Sequence, residues 1–483
     1  MKVWGHQDLN LFRKKNLLDA CEAAIGLRKE LKTIDLFLLG IGAIVGAGIF
    51  MLTGKGIMEL GAAIIFSFIL AAIACILSGL AMAEFASMVP ISGSYYTYTY
   101  LTMGELLAWI IGWSVVLQNL LGASSIAGGF SVFFHQFLAL LNIDVLDPRI
   151  EEWLKPPALG GIFNVPAAFI VLAVTFLLAR GLKESKIANN FMASLKVALV
   201  ILVILAGLFF IFNKGTVANS CLQIPVDVDF KIIIKRAAVL FFCFTGFDLV
   251  ASASEETKDP KRMLPRAILY SLFFSTILFI VFSLVTAGIV PIGSLTEQNS
   301  NNAVYVAMTI TRQSWINFII QLGLVLGLAA GVLAYMYSLT RLLLCMSRDG
   351  LLPRFLSTLH PKTQVPLKTT WIIGIIASLL AGLIDADDLI VLFNVPTLLI
   401  ISFVSLAIIL LRKRQPKLNR PFRCPMVPFL PILSILINIG LLVYLPPVKG
   451  ISSNMLWMLA GIWTIGGLLI YFLYSYKHSK LNK

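Results

Sequence analysis

Apolar runs of about twenty residues recur from residue 34 to residue 475, with few charges inside them. A run of that length is what an α-helix needs to cross a hydrocarbon core about 30 Å thick. The runs are continuous and do not alternate, which argues against a β-barrel wall. The chain is 59% hydrophobic and 13% charged, whereas soluble domains are about 25% charged. An all-α membrane protein is therefore predicted, with twelve spans at 34–53, 60–88, 104–140, 162–180, 190–212, 234–254, 267–291, 303–346, 369–384, 388–411, 425–445 and 452–475. The third would be about 54 Å long as one helix and must tilt or project from the bilayer.

The net charge of +14 would suggest nucleic acid in a soluble protein. Here its distribution decides otherwise. With the N-terminus inside, 28 of the 38 Lys and Arg fall on the cytoplasmic side, nine outside and one, Lys196, within a span. This positive-inside bias accounts for the charge without a polyanionic partner. Both termini are then cytoplasmic, as segments 1–33 and 476–483. The first 33 residues lack an apolar signal-peptide core, and Asn16 to Lys32 could form an amphipathic helix on the inner surface. The absence of an Asn-x-Ser/Thr acceptor leans toward a bacterial plasma (inner) membrane. The six cysteines and four histidines form no metal or redox spacing, and no Gly-Lys-Ser/Thr phosphate loop occurs. No cofactor, metal or catalytic set is expected.

Within the first span, Gly40, Gly42, Gly46 and Gly48 alternate with apolar residues. Each glycine costs a helix interior about 1 kcal/mol relative to alanine. The stretch reads as a broken helix at Gly46 to Gly48, with close helix packing as the alternative. A second interruption, Phe241-Phe242-Cys243-Phe244-Thr245-Gly246-Phe247-Asp248, lies in the sixth span. Gly46 and Gly246 hold corresponding places in two five-span units, 34–212 and 234–411. Five is odd, so the second unit runs inverted, and spans eleven and twelve (425–475) stand outside this 5+5 repeat. Paired interruptions of this kind point to a transporter binding site.

The broken ends suggest the ligand. The second half of span one offers free N–H groups and a positive dipole end, which suit a carboxylate. The first half of span six offers free carbonyls near Phe242–Phe244, which suit an ammonium. An α-amino acid carries both groups. Phe244 and Phe247 could cover it, or could simply pack. Lys196 is costly at its depth, which makes it a candidate for proton coupling or a charged tether for the loosened first span. Asp248 reads either as an N-cap of the second half-helix or as a coupling carboxylate. Glu84 reads as an interfacial carboxylate with a structural role.

Gly42-Ala43-Ile44-Val45-Gly46-Ala47-Gly48-Ile49-Phe50, the stretch from Phe241 to Asp248, and Glu255-Glu256-Thr257-Lys258-Asp259-Pro260 resemble the amino acid–polyamine–organocation superfamily. Met346-Ser347-Arg348-Asp349-Gly350-Leu351-Leu352-Pro353 is similar to the pattern of its cationic amino acid transporter family. The resemblance covers residues 30 to 475 and implies the leucine-transporter fold with alternating access. It implies that Ile44, Gly46, Ala47 and Gly48 surround the substrate carboxylate, and that the carbonyls of Phe242, Cys243 and Thr245 meet the amino group. It also implies that Lys196 replaces a sodium ion of sodium-coupled relatives, and that Asp248 is the aspartate after the span-six break. Two departures matter. Gly112-Trp113-Ser114 and Leu117-Gln118-Asn119 stand where cationic members commonly have Gly-Trp-Asp and Leu-Glu-Tyr, and Ala47 replaces a threonine. With Gln118 in place of a glutamate, a buried cationic side chain would lack a paired charge. The expected function is a proton-coupled symporter of neutral amino acids. The alternatives are a cationic amino acid or polyamine exchanger, and a membrane amino acid sensor without net transport.

Overall fold

The computed structural model describes residues 13–14, 31–89, 93–141, 161–181, 186–214, 229–254, 257–296, 299–361, 365–447 and 453–482. The expected surface helix from Asn16 falls almost wholly outside them, as does Glu255-Glu256. Among the described residues the chain is all helical, apart from one isolated bridge between Leu31 and Thr257.

In chain order the helices are α1 (Thr33–Ile44), α2 (Ala47–Leu60), α3 (Ile64–Met88), α4 (Ser94–Thr102), α5 (Glu105–Leu140), α6 (Val165–Ala179), α7 (Lys186–Lys214), α8 (Phe230–Phe244) and α9 (Phe247–Ser252). They continue as α10 (Pro260–Ile289), α11 (Ala303–Ile310), α12 (Ser314–Arg348), α13 (Leu367–Leu383), α14 (Ala386–Arg414), α15 (Phe429–Val443) and α16 (Ser453–Ile470). Seven helical stretches among the described residues are long and apolar enough to cross a membrane, and four shorter apolar helices accompany them.

Local chemistry sets several of the starts. Asn164 caps α6 by accepting from Ala167 N at 3.1 Å, with Pro166 just inside. Asp229 caps α8, and Asp385 caps α14. The expected eighth span, 303–346, is two helices rather than one. Arg312 takes φ +57° between α11 and α12, which a continuous helix does not permit.

The long α5 lies at the centre, against α12 and α14, while α10 packs along α1 and α3. Large apolar side chains face outward along the outer helices, among them Phe191, Leu205 and Phe209 of α7 and Phe273 and Ile277 of α10. That surface suits lipid. Many buried hydroxyls bond a carbonyl of their own helix, as where Ser125 donates to Leu121 O at 2.6 Å. Hydroxyls on these helices thus remain compatible with an apolar interior.

Candidate functional site

The two interruptions meet. α1 ends at Ile44, Val45 N donates back to Ile41 O at 2.7 Å, and α2 starts at Ala47. The break is therefore at Val45-Gly46, shorter than the expected Gly46 to Gly48, because Ala47 and Gly48 already belong to α2. α8 ends at Phe244 and α9 starts at Phe247. Between them Gly246 takes φ +107°, a conformation that only glycine adopts without strain. A Cβ there would lie 2.9 Å from Ala43 Cβ and 3.0 Å from the Ala43 carbonyl carbon. Gly48 plays the packing role that small residues serve on crossing helices: a Cβ on it would lie 2.9 Å from both Cys243 Sγ and a Phe242 ring carbon. Gly46 differs from both. A Cβ there would meet nothing nearer than Ala43 O at 3.8 Å, so this side of the break is open.

The chemistry of the ends follows from this geometry. No side chain caps α2 at Gly46, so its first N–H groups and positive dipole end face the open side. At the end of α8, Phe242 O accepts from Thr245 N at 3.2 Å and from Thr245 Oγ1 at 2.7 Å. Among the described residues, no backbone N–H outside the helix reaches the carbonyls of Cys243 and Phe244. The Thr245 hydroxyl, expected only to offer its backbone, thus closes the last turn, and the free acceptors sit one and two residues further on.

Ile44, Ala47, Phe242, Cys243, Phe244, Thr245, Phe247 and Gln118 are all buried. The ring of Phe244 packs against Phe68 and Phe279 at 6.4 and 5.2 Å between centroids, so it joins the core between α3 and α10 rather than covering the breaks. The N-cap of α9 is Gly246, so Asp248 is not the cap. It lies in the first turn of α9, with Tyr95 and Tyr335 as its electrostatic neighbours.

Three side chains not singled out in the sequence complete the surroundings. Phe393 of α14 meets Phe242 edge to face at 5.0 Å, and Tyr335 of α12 at 6.0 Å. The Tyr335 hydroxyl lies 3.5 Å from Thr245 Oγ1. Asn394 donates into α8 at Ala238 O and Val239 O. α5 faces them with a row of small residues: a Cβ on Gly122 would lie 2.7 Å from Tyr335, and one on Gly129 would lie 2.9 Å from Ala47 Cβ. Gln118 lies one turn before Gly122 on the same face of α5. It is 2% exposed, and its Oε1 accepts no hydrogen bond among the described residues.

Lys196 Nζ donates to Gly42 O at 2.8 Å, and its aliphatic stem lies against Gly327. Further along α1, Asn190 Nδ2 donates to Asp35 Oδ1 at 2.8 Å. Gly42 also comes close to Ala193, so α1 and α7 run nearly backbone to backbone here.

Ion pairs lie at both ends of the bundle. At one end Lys55 pairs with Asp387, which also accepts from Asn301 at 3.3 Å, and Arg236 pairs with Glu59. Burial pushes the Asp385 carboxyl up to about 6, with Asp387 and Asp388 adding to the shift and Lys55 opposing it. At the other end Glu84, fully buried, binds Arg412 at 2.6 and 3.1 Å, Arg420 at 3.1 Å and Cys424 N at 2.7 Å. Its structural role is thus to join the end of α3 to α14 and the following loop. Nearby Glu105 accepts from Tyr100, Tyr471 and Ser479. No group of three His, Cys, Asp or Glu among the described residues could hold a metal.

Comparisons with known proteins place the chain in a family. A family described as "Amino acid permease" matches residues 31–466. The chain is 42% identical over 480 residues to the "Branched-chain amino acid permease BcaP" of Bacillus subtilis (strain 168), covering 98% of this chain and 99% of that protein. It is 39% identical over 477 residues to the "Methylthioribose transporter" of the same organism, covering 98% and 100%. It is 34% identical over 392 residues to the "Cationic amino acid transporter 4, vacuolar" of Arabidopsis thaliana, covering 81% of this chain and 64% of that protein. The chain belongs to the amino acid permease family, within the amino acid–polyamine–organocation superfamily.

Proposed function

We propose that this chain is a secondary active permease that imports neutral amino acids together with protons by alternating access. The observation that carries the reading is the crossing of two interrupted helices, with an uncapped helix N-terminus on the open side of Gly46 and free carbonyls at the end of α8. In this reading the substrate carboxylate rests on the first turn of α2, between Ile44, Gly46, Ala47 and Gly48. The ammonium meets the carbonyls beyond the one that Thr245 occupies on Phe242, those of Cys243, Phe244 and Thr245. Phe247, Gln118, Tyr335 and Phe393 face the side chain, and Phe244 supports α8 from the core.

Neutral substrates are supported by Gln118, which places an uncharged amide on α5. They are also in keeping with two relatives named for neutral solutes, a branched-chain amino acid permease and a methylthioribose transporter. Lys196 carries the proton coupling: protonated, it holds α1 through Gly42 O, and neutral, it loosens that hold. Asp248 is the second coupling candidate. The reading includes twelve spans, the inverted units 34–212 and 234–411, a final pair at 425–475, cytoplasmic termini and a bacterial plasma membrane.

The test is uptake of L-leucine into proteoliposomes with and without an inward proton gradient. Wild-type uptake is expected to rise with the gradient, and Lys196→Ala to transport without responding to it. Undiminished gradient-driven uptake by Lys196→Ala removes the coupling role. A second reading, exchange of cationic amino acids or polyamines, is favoured by the relatives named cationic amino acid transporters. Thermal stabilisation confined to lysine, arginine or ornithine would put it in first place.

A further inference from the structure

We infer that Asn394 is a positioning residue for transport, a side-chain splint from α14 that fixes the end of α8 where the substrate ammonium is held; this rests on the reading of the site given above. Asn394 is fully buried, and its Nδ2 donates to Ala238 O at 3.0 Å and to Val239 O at 3.2 Å. In an α-helix those two carbonyls accept from the N–H groups four residues on, Phe242 and Cys243. Asn394 therefore grips α8 in the turn just before its broken end, on the carbonyls that pair with the N–H groups of Phe242 and Cys243. Phe393, its chain neighbour, meets the ring of Phe242 edge to face at 5.0 Å. One dipeptide of α14 thus holds α8 twice, by an amide on the backbone and by a ring on a side chain.

The hold matters because Asn394 bonds the α8 backbone itself, whereas Phe244 and Phe242 steady that end through ring packing. Beyond Phe244 the chain turns through Thr245 and the left-handed Gly246, and no helical ladder continues across the gap. The direction of the Cys243 and Phe244 carbonyls is then set by the turn that Asn394 bonds. Its own Oδ1 has no partner among the described residues, so the two carbonyls are what orient the amide. Pro396, two residues on, cannot donate to Leu392 O, and this leaves α14 locally less regular beside the contact.

The test compares L-leucine with L-2-hydroxy-4-methylpentanoate, which keeps the carboxylate and side chain but replaces the ammonium with a hydroxyl. Apparent KM values are measured for the full chain in proteoliposomes. The wild type is expected to prefer leucine by about 10- to 100-fold, the worth of a charge-assisted hydrogen bond. Asn394→Ala, and the isosteric Asn394→Asp that replaces the NH2 group with an oxygen, are expected to shrink that preference roughly tenfold, with KM for leucine rising more than Vmax falls. The ratio of the two ligands does not depend on how much protein folds, so a lower yield does not blur the result. A wild-type ratio and KM in both variants would make Asn394 a packing residue only and overturn the inference. A wild type that does not distinguish the two ligands would overturn the reading of the site, and this inference with it.

Discussion

Replacing Gly246 with alanine, beside the matched change at Gly46, tests the crossing of the two broken helices most directly. At φ +107° an alanine is strained by about 1–3 kcal/mol. Its Cβ would also stand 2.9 Å from Ala43 Cβ and 3.0 Å from the Ala43 carbonyl carbon. Neither atom can rotate away, and overpacking of this kind adds about 1–3 kcal/mol. The two effects together predict a loss of roughly 2–6 kcal/mol for Gly246→Ala. Gly46 sits at φ −127°, which any residue adopts, with its nearest obstacle 3.8 Å away. Gly46→Ala is therefore expected to change stability by less than about 0.5 kcal/mol, while its methyl group, on the open side, weakens substrate binding. Chemical denaturation of the purified protein measures the stabilities, and ligand-induced thermal stabilisation measures the binding. Equal stability loss in the two variants, or wild-type stability in Gly246→Ala, would refute the account of the breaks.

Three more outcomes follow from the ends and the central helix. The folded protein holds the Asp385 proton more tightly than the unfolded chain, where aspartate titrates near about 3.9. The contribution of Asp385 to stability is thus complete below about pH 4 and lost as pH rises through about 6, so Asp385→Asn should flatten the melting temperature between those values; a profile parallel to wild type would contradict the assignment. Glu84→Gln leaves Arg412 and Arg420 without their carboxylate and is expected to cost about 3 kcal/mol in denaturant titration, and an unchanged midpoint would show that the cluster is not holding α3 to α14. Gln118→Glu should raise the affinity for lysine relative to leucine by about tenfold, read by thermal stabilisation across both ligands; an unaltered ranking would place Gln118 away from the substrate.

The breaks were legible because glycine inside a membrane helix leaves a mark that no neighbour can hide. Gly46 alone left close packing open as an alternative, and it was the corresponding interruption at Gly246 that marked both as breaks. The roles within the breaks were less legible. Gly48 lies in helix, because what matters there is the approach of Cys243 and Phe242 from another segment. Asp248 lost the capping role because Gly246, already forced into a left-handed conformation, starts α9 two residues earlier. Tyr335, Phe393 and Asn394 left no local trace: each is an ordinary residue on a long helix, and only the packing of α12 and α14 against α8 gives it meaning. The division at Arg312 was hidden for a related reason, since apolar residues continue on both sides of it.

The paired bonds from α7 to α1 have a mechanical consequence. Asp35 and Gly42 are seven residues apart, so Asn190 and Lys196 fasten α1 at two levels about 10 Å apart along its axis. A rod riveted at one level can pivot; riveted at two, it turns only with the beam to which it is fixed. While both rivets hold, α1 and α7 form a single girder. Undoing the one at Lys196 leaves a hinge at Asp35, about which the end nearest the break swings furthest.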